Sequence, residues 1–449
     1  MTQIQDETYQ IAADLEARID AAIAELMPEA LEVLRDMVRV NCINPLFPGI
    51  ERNDVIGGEG EAGRIFADYV QKFGFGLDVF EPDPERPNYI LKREGEGGGR
   101  SLIINGHLDT VPPLRPEEWH NGNPWEARLT EDRLYGLGST DMKSGLISAG
   151  LAGAVLDRLG IKLKGPLQIH AVVGEETGNG ELGTDAILAA GYTADAAIIA
   201  EPSSVPEPLS INPISVGNFI LHIDIQGNGT HVGNRGSSIR AGGAGVKAGV
   251  NAVEKALQIV QALQQLEQEW GLTKKHPAFP AGCFTITPAF LHADSGVPSV
   301  GYLAHNARIG VLVWYPPGVD AEDIKAEIEA QVQHAAKLDL WMRENPPVLT
   351  WVSNWPAYET AEDSAIVQRV ILDRAAVLGE IPAGLRQTHG FIASCDATYF
   401  TNRGIPAVTL GPGDIGCAHS VDEFVYLSQI KDAARIYART IIGWCGQAK

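Results

Sequence analysis

Four short apolar runs, each followed at once by turn residues, constrain the fold of this chain more than any other feature. They are SLIING at 101–106, LQIHAVVG at 167–174, AAIIA at 196–200 and AVTLG at 407–411. Runs of this length without polar alternation are typical of strands buried on both faces of a parallel sheet. Helix-forming stretches lie between them, at 144–159 and 184–190. The alternation predicts an α/β layer with a mostly parallel sheet and flanking helices.

The pattern changes between about 214 and 352. VGNFILHIDIQG alternates apolar and polar residues, and it is followed by a helical stretch at about 249–270, the strand-like RIGVLVWYP, an acidic helical stretch from Ala321 and the strand-like VLTWV. A chain of 449 residues also exceeds what one core ordinarily supports. We therefore predict an inserted α+β domain at 214–352 and a main domain in two parts, 1–213 and 353–449.

Charge and cysteine content exclude several classes of protein. A formal net charge of −22 disfavours binding to nucleic acid or to an anionic membrane surface. The five cysteines form no CxxC pair, which disfavours a disulfide framework or a thiolate zinc site. Residues 1–38 have an amphipathic helical pattern without the basic start or apolar core of a signal peptide, and no stretch is apolar enough to span a membrane. We expect a cytoplasmic protein.

Side chains of the metal-binding type follow the apolar runs. They are His107 and Asp109 in NGHLDTVP, Asp141 in YGLGSTDMKSG, Glu175 and Glu176 in VVGEETG, Glu201 in AAIIAEP and His419 in GPGDIGCAHSVDEF. Each motif alone has an ordinary explanation: an incidental pair, a helix cap, a surface carboxylate or a structural histidine. However, strands of an open parallel sheet gather their carboxyl ends at one edge, where ligands bind. Together the motifs indicate one site.

The ligand types point to a class of metal. Two imidazoles and three carboxylates without a thiolate suit Zn²⁺, with Mn²⁺ or Co²⁺ as alternatives. Five side chains are too many for one catalytic ion with open positions, whereas a bridging Asp141 would give each of two ions three ligands. Asp109 can accept from the second ring nitrogen of His107. Glu175 and Glu176 are consecutive and point in different directions, so one can bind metal while the other faces a metal-bound water.

In order, type and spacing, the five motifs resemble the metallopeptidase and amidohydrolase family that includes acetylornithine deacetylase, succinyl-diaminopimelate desuccinylase, aminoacylase and carboxypeptidase G. The resemblance begins near LEVLRDMVRVNCINP at 31–45 and runs to His419. It implies that 1–213 and 353–449 form a zinc-exopeptidase-like catalytic domain. The implied roles are two divalent ions, one on His107 and Glu201 and one on Glu176 and His419, with Asp141 shared, Asp109 orienting His107, Glu175 as general base and a cis bond between Asp141 and Met142.

The inserted domain resembles the lid and dimerisation domain of the same family. His231, in GNGTHVGN, matches the lid histidine that reaches the partner subunit's active site and stabilises the oxyanion. Asn251 stands at the usual asparagine of the lid helix, and GVPS at 296–299 resembles a lid strand motif. The resemblance therefore implies a homodimer.

Two positions depart from the family pattern. Trp314 and Thr398 stand where the family usually has arginines, and both changes remove a cation able to grip a carboxylate. Such a tryptophan is usually part of a core, but it is also suited to stack on a flat substrate. Arg235 is a further candidate for an anion clamp. The candidate substrate contacts are Asn251, Trp314, Arg240, Arg386 and Asp396.

The sequence thus predicts a two-metal hydrolase that cleaves a carbon–nitrogen bond of a small-molecule substrate. The amide of an N-acyl amino acid, or a related small amide, is the favoured bond, attacked by metal-activated hydroxide with Glu175 as general base. One alternative is an aminohydrolase that releases ammonia from an electron-poor aromatic or amidine-like substrate. Others are a mononuclear exopeptidase and a non-catalytic metal-binding homologue, although a pure binder has no use for Glu175.

Overall fold

A computed structural model describes residues 11–448 of the chain. The helices are α1 (Ala13–Arg39), α2 (Arg52–Val55), α3 (Gly58–Gln71), α4 (Ser144–Arg158), α5 (Thr184–Ala189), α6 (Arg235–Ile239), α7 (Ala252–Thr273), α8 (Ala321–Leu338), α9 (Ala365–Leu378), α10 (Ala397–Thr401) and α11 (Leu427–Cys445). The helical pattern expected over 1–38 therefore begins within the described residues at Ala13, and residues 1–10 lie outside them.

The strands complete the inventory of regular structure. They are β1 (Gly76–Asp83), β2 (Arg86–Arg93), β3 (Leu102–His107), β4 (Arg128–Leu129), β5 (Arg133–Tyr135), β6 (Leu167–Val172), β7 (Ala196–Ile199), β8 (Ile214–Ser215), β9 (Gly217–Gln226), β10 (Ile286–Asp294), β11 (Asn306–Tyr315), β12 (Val348–Trp355), β13 (Gly390–Phe391), β14 (Ala407–Thr409) and β15 (Phe424–Tyr426). Among residues 11–448, no helix combines the length and the apolar character needed to cross a membrane.

The chain folds into two compact units. The first comprises the residues up to 214, residues 358–391 and those from 395 onward, and the second comprises 215–357 and 392–394.

The first unit is built on a central sheet in the order β1-β2-β6-β3-β7-β14. Strands β6, β3, β7 and β14 are parallel, whereas β1 and β2 pair antiparallel at one edge. The four apolar runs of the sequence form these parallel strands, and every residue of β3 and β7 is buried. The predicted α/β fold with a mostly parallel sheet is therefore confirmed.

Helix α4 packs against the sheet without a polar face. Its residues from Ser144 to Leu156 are all buried, between α1 and α11. Gly145 permits this approach at the end that faces β7, because a Cβ there would lie 2.0 Å from the carbonyl oxygen of Ala200. The turn before α4 is thereby held next to the residue that follows β7.

The second unit contains an antiparallel sheet in the order β10-β11-β9-β12, covered by α7 and α8. In β9 the apolar residues of the alternating pattern are the buried ones: Phe219, Leu221, Ile223 and Ile225. Strand β10 was not anticipated, because a register shift between Pro288 and Phe290 interrupts its alternation. The GVPS segment, compared above with a strand motif, lies in the loop after β10, so that expectation was wrong.

Candidate metal centre

Three strand ends bring the acidic residues and His107 to one edge of the central sheet. In the parallel register, His107 at the end of β3 lies opposite Val172 at the end of β6, and Asn105 lies opposite Ile199 at the end of β7. Glu175 and Glu176 follow β6, and Glu201 follows β7. The polar side chains therefore gather where the apolar strands stop.

Asp141 lies between the two histidines. It occupies a turn at Ser139–Lys143 whose preceding residue, Gly138, has φ +79°, a left-handed conformation that favours glycine. One carboxylate oxygen of Asp141, Oδ1, is 3.1 Å from Nε2 of His107, and the other, Oδ2, is 3.3 Å from Nε2 of His419. The peptide bond from Asp141 to Met142 is cis, as the resemblance implied.

Each histidine has its own carboxylate neighbour. Nε2 of His107 lies 3.6 Å from Glu201 and 3.8 Å from Glu175, while Nε2 of His419 lies 3.2 Å from Glu176. Two groups have ligand atoms within 4.8 Å of one another: His107 with Glu175 and Glu201, and His107 with Asp141 and Glu176. His107 is common to both groups, whereas Asp141 comes close to both histidines through its two oxygens.

The electrostatics of the cluster fit positive ions. Burial raises the pKa of Glu175 and of Glu201 well above the usual range, and their carboxylate neighbours raise it further. Burial would also raise the pKa of Asp141, but its hydrogen bonds with His107 and His419 hold it below the usual range. Protons or cations can offset the charge of buried carboxylates that face one another, and the carboxylate and imidazole donors of this cluster are ligand types that divalent cations accept.

Asp109 contacts His107 differently from the expectation. Nδ1 of His107 lies 2.9 Å from the backbone carbonyl oxygen of Asp109, and the carboxylate oxygen Oδ1 is farther away, at 3.7 Å. The other oxygen, Oδ2, accepts from the side chain of Asn44 at 2.8 Å and from the backbone N–H of Glu176 at 3.1 Å. Asp109 therefore fixes His107 through its carbonyl and links it to the turn of Glu176.

Two candidate substrate contacts of the first unit have different environments. Asp396 is buried, and its Oδ2 accepts from the hydroxyl of Thr184 at 2.5 Å, while Oδ1 has no hydrogen-bond partner. The negative charge of Asp396 helps to raise the pKa of Glu175, although burial has the larger effect. Arg386 is instead held in an ion pair with Glu362. Asp396 thus belongs to the cluster, and Arg386 is engaged elsewhere.

The remaining candidates lie in the second unit. His231 and Arg240 are exposed, and Nδ1 of His231 accepts from the N–H of Gly233 at 3.1 Å. Asn251 is the N-cap of α7, where its side chain accepts from the N–H of Val253. Trp314 is half-buried on β11. Within their unit, these residues make local contacts.

Two residues that hydrogen bond to members of the cluster were not predicted from the sequence. Asn44 is fully buried and donates to Asp109, as described. Oε1 of Glu423, which follows His419 closely in the sequence, accepts from the backbone N–H groups of Thr140 at 2.8 Å and Asp141 at 3.1 Å. The only sequence signal for Glu423 was its position in the HSVDEF segment, and for Asn44 its position in the segment at 31–45 where the family resemblance begins.

The model of peptidase family M20/M25/M40 matches residues 103–443, and this chain belongs to that family. It is a metal-dependent hydrolase.

Two relatives and one solved structure are similar to this chain over most of their length. The chain is 32% identical over 411 residues to N-formyl-4-amino-5-aminomethyl-2-methylpyrimidine deformylase of Halalkalibacterium halodurans, covering 86% of this chain and 89% of the relative. It is 26% identical to acetylornithine deacetylase of Vibrio cholerae, covering 93% and 99% of the two chains. Among solved structures, the di-peptidase Dug1p of Saccharomyces cerevisiae has the same fold, with a TM-score of 0.74, 13% identity and coverage of 97% of this chain and 99% of that one.

Proposed function

We propose that this chain is a two-metal amidohydrolase that removes a formyl or other short acyl group from an amine carried by a flat nitrogen heterocycle. The observation that carries the proposal is the position of Asp141 between His107 and His419, each with its own carboxylate neighbour. The similarity to a pyrimidine deformylase supports the choice of substrate. It also gives the absence of arginine at Trp314 and Thr398 a chemical reason, because such a substrate has no carboxylate to grip.

The metal ions would be held by the side chains of the cluster. His107 and Glu201 suit one ion, Glu176 and His419 suit the other, and Asp141 suits both through its two oxygens. Zinc is the preferred ion, because imidazole and carboxylate ligands without thiolate match its chemistry, and manganese or cobalt remains an alternative. When bound, such ions supply Lewis acidity that favours deprotonation of water at neutral pH and neutralises developing negative charge.

Glu175 is the residue proposed to move the proton. Its side chain is nearly buried beside His107 and is not needed in either ligand set. As a carboxylate it takes a proton from the attacking water and then donates it to the nitrogen of the leaving amine, so that the C–N bond breaks and a neutral amine and formic acid leave. The formic acid then loses its own proton to solvent and becomes formate. His231 is proposed to stabilise the negative oxygen of the tetrahedral intermediate.

Asp396 is proposed to select the amine part of the substrate. Its Oδ1 is a buried acceptor without a partner, and the exocyclic amino group of an aminopyrimidine is a donor of the kind that it lacks. Trp314 is proposed to stack on the heterocycle. A substrate with an acidic amino-acid part fits this set of residues less well, because Thr398 supplies no positive charge.

The test is a substrate panel with zinc-loaded protein. It compares an N-formyl aminomethylpyrimidine, an N-formyl benzylamine, an N-acetyl amino acid and the free aminopyrimidine, following formate, acetate, amine and ammonia. We expect release of formate and amine from the first substrate. Its kcat/KM should be at least about tenfold above that for N-formyl benzylamine, because one good hydrogen bond contributes a free energy that corresponds to about this factor. Preferred cleavage of the N-acetyl amino acid would contradict the substrate, and ammonia as the sole product would favour the aminohydrolase alternative.

A homodimer formed through the second unit is also proposed. In the sheet of that unit β10 is an edge strand, and Phe290 and Leu291 on it are about half exposed, so the edge offers apolar surface and unpaired backbone groups to a second copy. Light scattering of the purified protein tests this directly. If His231 acts in the partner subunit's site, mixed dimers of E175A and H231A chains regain activity that neither variant has alone. A lack of recovery in dimers shown to have exchanged subunits would contradict action across the dimer.

A further inference from the structure

Asn44 joins two segments of the candidate metal cluster from outside the five motifs that carry the candidate ligands. It lies beyond the end of α1 and is fully buried. Its side-chain nitrogen Nδ2 is 2.8 Å from Oδ2 of Asp109 and 2.9 Å from the hydroxyl oxygen of Thr177. Asp109 belongs to the segment of His107, and Thr177 directly follows Glu176. One amide group therefore contacts both segments that carry candidate ligands.

The orientation of this amide is determined by its surroundings. Its oxygen, Oδ1, accepts from the backbone N–H of Leu46 at 3.0 Å, so the nitrogen is the atom that faces Asp109. A flipped amide would turn oxygen toward a carboxylate and leave the N–H of Leu46 facing a donor. The backbone N–H of Asn44 also donates to the carbonyl oxygen of Thr110, which fixes the main chain at the same place. Both hydrogens of Nδ2 are thus used to connect the two segments.

Asp109 is the point where these contacts converge. Its Oδ2 accepts from Asn44 and from the N–H of Glu176, while its carbonyl oxygen lies against the ring of His107. If Asn44 were lost, Oδ2 would keep only one of its two donors, and Thr177 would lose its contact with the His107 segment. Buried polar partners of this kind fix the ligands around a metal ion and affect its affinity.

We propose that Asn44 is a positioning residue that sets the spacing between His107 and the pair of Glu175 and Glu176. The inference rests on the proposed function, because it assumes that this cluster holds metal ions. Asparagine suits the position because it offers two donors and one acceptor from one planar group. Aspartate has the same shape but offers only acceptors, and serine has a single hydrogen to donate.

The experiment compares N44D with a matched buried asparagine. Asn88 is also fully buried, and its Nδ2 donates to the carbonyl oxygens of Phe80 and Leu182, neither of which belongs to the cluster. Its Oδ1 accepts from the N–H of Val173, a contact that aspartate would keep. N88D therefore reproduces the loss of two buried donors without breaking the link between the two segments.

Zinc affinity is measured by competition with a chelator, kcat and KM are measured on the panel's best substrate, and unfolding is followed for the metal-free proteins. We expect N44D to lower zinc affinity and kcat roughly 10- to 100-fold with little change in KM, and N88D to lower only the stability. N44S, which keeps one donor, should lie between N44D and the wild type.

Equal zinc affinity in N44D and the wild type would overturn the role of Asn44, and so would equal losses of affinity in N44D and N88D. Should N44D fail to fold, N44S decides: wild-type affinity in N44S contradicts the proposal, and a reduced affinity supports it. A wild-type protein that binds no ions contradicts the proposed function itself, so the two failures are distinguishable.

Discussion

The candidate residues of the first unit and those of the second differ in how they are held. In the first, Asp141, Glu175, Glu201 and Asp109 are buried, His419 is about half exposed, and hydrogen bonds join segments far apart in the sequence. In the second, His231 and Arg240 are exposed, and His231 contacts its own loop. The difference teaches that a charged cluster is held by buried contacts from several segments, whereas a residue that acts on a substrate after binding can lie on an exposed loop.

The largest effect is expected from E175A, in the buried cluster. Loss of a general base lowers kcat roughly 10²- to 10⁴-fold, and zinc content should stay near the wild-type value because the two proposed ligand sets remain complete. Rate assays together with metal analysis check this. E181A, at an exposed glutamate close in sequence, should leave both values unchanged. A substantially active E175A would show that another group moves the proton.

The substitution H231A tests the role of the exposed loop of the second unit that carries His231. Removing one donor to the oxyanion lowers kcat by about 10²- to 10³-fold, with no change in zinc affinity, since His231 is not in the cluster. The matched control is H334A, because His334 is also exposed in the second unit, on α8 and away from the β10 edge. If H231A and H334A have the same kcat, His231 has no role in the reaction, and the comparison between the buried cluster and the exposed loop fails.

Substitutions of Glu423 test whether hydrogen bonds from outside the proposed ligand sets hold the cluster in place. Its Oε1 accepts from two backbone N–H groups next to Asp141, so E423A should lower zinc affinity and kcat roughly 10- to 100-fold. E423Q keeps a carbonyl oxygen that can accept from both and should remain close to the wild type. If E423Q is as impaired as E423A, the charge of Glu423 rather than its hydrogen bonds is what matters.

The smallest effect is expected from N251A, in the second unit. Because Asn251 caps α7, its loss should lower the free energy of unfolding by roughly 1 kcal/mol, as should D320A, which removes the cap of α8. Chemical denaturation measures both. The hypothesis that Asn251 also contacts substrate requires a rise in KM that D320A lacks, and equal KM values would contradict it.

Much of the fold was predictable because its signals are local. The runs that became β3, β6, β7 and β14 are mostly apolar, as expected of strands buried on both faces of a parallel sheet. The alternation in β9 was equally readable. Strand β10 was missed because the irregular pairing around Pro288 removes the alternation on which such a prediction depends.

The candidate site also contains some residues that the sequence could reveal and some that it could not. His107, Glu176 and Glu201 were predicted as candidates because each lies at or just beyond the end of a strand, and strand ends meet at one edge of a parallel sheet. Asn44 and Glu423 were not found, because their importance comes from hydrogen bonds to residues distant in the sequence. A single asparagine or glutamate has no periodicity that would reveal such a partner.

The turn of Asp141 depends on a residue that the chain supplies late. Glu423 secures the amides of that turn, and His419 lies against the carboxylate itself. During synthesis, the ribosome therefore exposes the strand-end carboxylates well before the segment that completes their enclosure exists. Ion binding by the growing polypeptide should accordingly be weak until residues 419–423 have left the ribosome.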